Sequence, residues 1–82
     1  MGRDDWDVLM DAFELSPREV EVLRHFMAAK TERATAAAMG LSRATVYHHA
    51  RNLYAKFRVK RRAQLCVRAE TALLASRARR RA

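Results

Sequence analysis

The chain has 82 residues, half of them apolar, with two glycines and one proline, which gives room for a single small domain and favours an all-helical protein over a sheet protein or a disordered chain. No stretch approaches the ~18 apolar residues of a membrane span, residues 1–6 are too acidic for a signal peptide, and Cys66 alone allows neither an internal disulfide nor a zinc site, so a cytoplasmic, metal-free protein is expected. The net charge of +8 is unevenly placed: residues 1–41 carry five basic and eight acidic side chains, residues 42–82 twelve basic and one acidic, so one half would attract a polyanion, first nucleic acid and second an anionic membrane surface.

Five helical segments follow from periodicity and capping signals, and no alternating strand pattern occurs. In the first, Trp6, Leu9, Met10 and Phe13 fall on one apolar stripe that faces away from Asp4, Asp5, Asp7 and Asp11. The acids lie near its start, where the helix dipole favours them. The second has the strongest start signal in the chain, with Ser16 as N-cap, Pro17 in the first turn and Glu19 as the reciprocal capping-box acid. Val22, Leu23, Phe26 and Met27 supply its apolar face, which ends near Ala29.

Thr31 caps the third helix, whose alanines at 34, 36, 37 and 38 allow close approach of another backbone before Met39 and Gly40 end it. Ser42 caps the fourth. Only Gly40, Leu41 and Ser42 separate these two helices, the length and glycine content of a helix-turn-helix, although many helical hairpins share such a turn. A fifth helix is expected over 62–75, and the arginines at 77, 79, 80 and 81 are expected to form a fraying basic tail. The organisation is thus an acidic amphipathic segment over 1–14, a helix-turn-helix domain over 15–75 and a tail over 76–82.

Several motifs resemble the LuxR/GerE-type DNA-binding domains. Leu15-Ser16-Pro17-Arg18-Glu19, then Glu21-Val22-Leu23, is similar to their "L-T-x-R-E-x-E-V-L" opening. Met39-Gly40-Leu41-Ser42, Thr45-Val46, His49, Asn52-Leu53, Lys56-Phe57 and Val59 match "L-G-I-S-x-x-T-V-x-x-H-x-x-x-I-x-x-K-L-x-V", and Arg62-Ala63-Gln64-Leu65 matches the start of the last helix, "R-x-Q/E-L/A". Sigma-factor region 4 shares the opening and the turn, but His49, Val59 and the 62–65 segment point to the LuxR/GerE side. Departures are Ala29 for glycine, Ala34 for glutamate, Thr35 for isoleucine or valine, and Arg58 for glycine or a polar residue. The resemblance implies an all-α, tetrahelical helix-turn-helix fold with a short extra N-terminal amphipathic helix. The receiver or sensory domain that usually accompanies it is not expected here.

Turning successive residues of 43–57 by about 100° sorts them into three stripes. Val46, Ala50, Leu53 and Phe57 form a core stripe; Tyr47, His48 and Arg51, with Ala44 and Ala55, lie opposite; Thr45, His49, Asn52 and Lys56 form a third, polar stripe. A slender polar face between alanines fits the major groove, and Arg51 is the candidate for guanine O6 and N7. The resemblance places Tyr47, His48 and Arg51 in the base-contacting slots; Tyr47 replaces what is often lysine, which implies a different target sequence. Thr31, Arg33, Arg43, Thr45, Lys56 and Arg61 are phosphate candidates at helix starts or flanks. Arg61 stands where the family usually has a serine cap, and a cation at a helix start is unfavourable unless an anion lies opposite, although its side chain can also turn into solvent.

His25, His48 and His49 have no Cys or carboxylate partners at metal-ligand spacing, and neither a Ser/His/Asp set nor a carboxylate pair suggests an enzyme. A sequence-specific homodimeric regulator of double-stranded DNA is therefore the leading expectation. An interaction protein of the same fold that binds another regulator or RNA polymerase is the alternative, and a nonspecific nucleic-acid or membrane binder is the third. In the last helix Leu65, Ala69, Ala72 and Leu73 point inward with Cys66 at the edge, whereas Ala63, Val67 and Leu74 point away. A monomer could leave this outer stripe exposed, though nothing would then explain it; a twofold mate would cover it, as the family's use of its last helix implies, and the N-terminal helix folding across it would instead leave a monomer.

Overall fold

A computed structural model describes residues 4–81, with side chains through residue 79; the outermost residues of the acidic segment and of the basic tail lie outside the described residues. Five helices follow in order: α1 (Asp5–Phe13), α2 (Pro17–Met27), α3 (Glu32–Met39), α4 (Arg43–Phe57) and α5 (Arg62–Arg81). The described residues contain no strand. Helices α3 and α4 form the helix-turn-helix, α2 and α5 close the core behind α4, and α1 packs mainly on α5.

The starts form as the side chains dictate. Asp4, Ser16, Thr31 and Ser42 each accept a hydrogen bond from the backbone N–H three residues on, at 2.8, 3.1, 3.0 and 3.1 Å. The capping box at α2 is complete, because Glu19 Oε1 also accepts from the Ser16 N–H at 2.9 Å. Helix α5 solves the same problem without a serine. Gln64 turns back so that its Oε1 accepts from the Lys60 and Arg61 N–H groups at 3.1 and 3.2 Å.

After α1, α2, α3 and α4 one residue enters the left-handed region, and the next N–H bonds back to a carbonyl five residues earlier. Only one of these four residues is a glycine, Gly40; Glu14, Ala29 and Arg58 adopt φ near +60° against the cost of a Cβ.

Fourteen apolar residues form the core, and the predicted stripe of α4 lies at its centre, with Val46, Ala50, Leu53 and Phe57 fully buried. Val22, Leu23 and Phe26 of α2 and Leu65, Ala69 and Leu73 of α5 meet it. In α3 the contact is narrower than its alanines suggest, since only Ala36 and Thr35 are buried.

Two expectations need revision. Helix α5 does not stop at residue 75 but continues through Arg81. The reason is α1: Asp5 lies one turn before Leu9, shares its inward face, and draws the second half of α5 to itself. Ser76 Oγ donates to Asp5 Oδ1 at 2.8 Å and Arg77 Nε to Asp5 Oδ2 at 3.3 Å, with Asp5 and Ser76 both buried. Asp5 therefore does not belong to the outward acidic face, and its charge is compensated where it is buried. Phe13 stacks on Phe57 with ring centres 4.1 Å apart, so α1 also braces the end of α4.

Candidate nucleic-acid interface

Burying one stripe of α4 completely forces the opposite one outward. Ala44, Tyr47, His48, Arg51 and Ala55 are all exposed, and no residue of α4 is acidic. Tyr47 keeps 51% of its surface in solvent, and the Arg51 guanidinium carbon lies 5.9 Å from the centre of its ring. The His48 ring stands 6.0 Å from that of His49, which is half-buried. The three base-reading candidates thus share one face, flanked by side chains small enough to admit a groove wall.

The third stripe is less free than its polarity suggests. Thr45 and Asn52 are half-buried, and the Thr45 hydroxyl lies 2.9 Å from Ser42 Oγ. Lys56 is committed to the fold: its ammonium donates to Glu19 Oε1 at 2.7 Å and to the Glu14 carbonyl at 2.7 Å. Burial pushes the Glu19 carboxyl up, but the Lys56 hydrogen bond, the Ser16 amide and the charges of Lys56 and His49 outweigh it and hold Glu19 below its ordinary value.

Two further cations of the basic half have structural duties. Arg62 donates to the carbonyls of Phe26 and Lys30 at the end of α2, with its guanidinium 4.0 Å over the Phe26 ring. Arg68 donates to the Phe57 carbonyl at 3.0 Å. Each satisfies carbonyls at a helix C-terminus, where the dipole also favours a cation. The motif start "R-x-Q" carries the signal for Arg62 and for the Gln64 cap; composition alone reads both as solvated polar side chains.

The remaining phosphate candidates ring the helix starts. Thr31 caps α3 with its side chain exposed, and Arg33 is the second residue of that helix. Arg43 is the first residue of α4, and Arg61 precedes α5. Arg33, Arg43 and Arg61 are exposed and have no carboxylate partner among the described residues. Neither α4 nor α5 carries an acid in its first turn, whereas α1, α2 and α3 do.

The model of the bacterial regulatory proteins, luxR family, matches residues 14–69. The chain belongs to that family. It is accordingly a DNA-binding transcription regulator with a helix-turn-helix fold, and α2, α3 and α4 lie within the matched segment. Helix α1 and the end of α5 lie outside the segment the family defines. No curated protein and no solved structure matches the chain. Among the described residues no cluster of His, Cys, Asp or Glu could hold a metal ion, and no helix is long and apolar enough to cross a membrane.

The outer stripe of α5 stays open. Ala63 is exposed, as are Val67 at 65% and Leu74 at 55%. Helix α1 packs on α5 and leaves both apolar side chains exposed. Val67 lines a groove of about 620 Å³ with Arg58, Val59, Lys60, Gln64, Arg68 and Thr71, and Leu74 lines a smaller one of about 250 Å³.

Proposed function

We propose that the protein is a cytoplasmic, sequence-specific regulator that binds double-stranded DNA as a homodimer on an inverted repeat, with α4 in the major groove. The observation that carries this reading is the exposed Tyr47, His48 and Arg51 face, free of carboxylates, on a helix whose opposite stripe is wholly buried. Arg51 reads a guanine through paired hydrogen bonds, His48 contacts a neighbouring base, and Tyr47 stands beside Arg51 on the same face. Thr31, Arg33, Arg43, Thr45 and Arg61 position the domain on phosphates, while Lys56 supports the fold.

Dimerisation accounts for two large apolar side chains one heptad apart that no described residue covers. Each lines a groove, which gives a second copy of α5 both an apolar anchor and a concave seat. A twofold pair would hold two recognition helices about 34 Å apart, one turn of duplex.

Fluorescence anisotropy with a preferred and a random duplex tests the reading. Binding should fall steeply with salt, since several cations displace condensed counterions. Arg51→Ala should cost ~1–3 kcal/mol on the preferred duplex and little on the random one. Equal losses on both would refute the assignment of the reading face.

A further inference from the structure

The Arg51 side chain is long and flexible, and α4 offers it no carboxylate partner. What lies beside it is the ring of Tyr47, one turn earlier on the same exposed face, with the guanidinium carbon 5.9 Å from the ring centre. Residues four apart on a helix meet in this way, and an arginine near an aromatic ring is held by the ring quadrupole. Much of the cost of a specific arginine–guanine contact is the rotamer freedom lost when the fork is fixed. A contact that fixes the fork before DNA arrives lowers that cost for the correct base. It does little for phosphate contacts made elsewhere.

We propose that Tyr47 is a positioning residue that sets specificity through Arg51, its ring holding the guanidinium ready for guanine, and that its hydroxyl is not the reading group. The proposal rests on the DNA-reading role of Arg51 and assigns Tyr47 a task distinct from that of a direct base contact. Leucine at 47 would keep the apolar bulk but lose the ring; phenylalanine would keep the ring and lose only the hydroxyl.

The test is a double-mutant cycle read as the ratio of affinities for the preferred duplex and for one in which the guanine pair is exchanged. Tyr47→Phe should keep the wild-type ratio within experimental error. Tyr47→Leu should lower it about two- to five-fold, the range of a cation–π contact at an exposed site, with random-duplex affinity and melting temperature unchanged. In the Arg51→Ala background Tyr47→Leu should have no further effect. Additive effects of Tyr47→Leu and Arg51→Ala, or a Tyr47→Phe loss as large as that of Tyr47→Leu, would overturn the proposal while the DNA-reading role stands. A wild-type protein that prefers no duplex at all would overturn both.

Discussion

The Lys56 ammonium, in the last turn of α4, lies 2.7 Å from the Glu19 carboxylate that closes the capping box of α2. The Glu19 side chain is almost fully buried, so removing Lys56 leaves an uncompensated charge in the interior and frees the Glu14 carbonyl as well. Lys56→Met is expected to cost ~1–3 kcal/mol of stability. Equilibrium urea unfolding measures it. At temperatures where the variant remains folded its DNA affinity should stay close to wild type; a weakened but equally stable variant would return Lys56 to the phosphate contacts.

The same pair makes stability depend on acid. Glu19 is held below its ordinary value of about 4.5, so its contribution is fully present above that pH and is lost as pH falls through the lower folded value. Glu19→Gln should therefore be less stable than wild type at neutral pH, and the gap should close below about pH 4.5. Urea midpoints of both proteins between pH 3 and pH 7, on the order of the span needed to bracket a carboxyl titration, provide the check. A constant gap across that span would contradict the assigned role.

Thr35 is fully buried on α3, and its hydroxyl has no hydrogen-bond partner. An unsatisfied buried polar group costs ~1–3 kcal/mol, and valine has nearly the same shape without that cost. Thr35→Val is expected to raise stability by about 1 kcal/mol, seen as a higher melting temperature. An unchanged or lower one would mean that the hydroxyl has a partner.

Ala29 ends α2 with φ of 62°, a conformation that glycine adopts without strain. Its surroundings are exposed, so Ala29→Gly should raise stability by ~0.5–1 kcal/mol. Gly40→Ala should do the reverse at φ of 66°, through backbone strain alone, because an added Cβ would meet nothing within 4 Å. Thermal melts of both variants should move in opposite directions.

Much of this was legible in the sequence, for identifiable reasons. Ser16, Pro17 and Glu19 act locally, within one turn, and the α4 stripe follows from helix geometry, so both could be read from spacing. The extra length of α5 could not, because it depends on Asp5 meeting Ser76 and Arg77 from more than 70 residues away. The duties of Lys56 and Arg68 are likewise non-local: each ties off the carbonyl end of another helix, and spacing along their own helices carries no trace of it. Of the proposed site, periodicity made the exposed face of α4 legible, while its reading role rests on the resemblance. Spacing left open whether α1 covers Val67 and Leu74; α1 docks on α5 through Asp5 and Ser76, and both side chains remain exposed.

The exposed stripe of α5 yields its own prediction. Val67→Asp with Leu74→Asp should give a folded monomer by light scattering, with a melting curve little changed, because both side chains are more exposed than buried. Binding to a full inverted repeat should weaken far more than binding to a half-site. A wild-type protein that is monomeric both free and on DNA would contradict the homodimer.

Selection from a pool of random duplex DNA tests the central claim most directly. The account predicts enrichment of an inverted repeat whose half-sites, about one helical turn apart, each contain a guanine that the Arg51→Ala protein no longer selects. Recovery of duplexes with no shared sequence, or of the same sequence with and without Arg51, would contradict it.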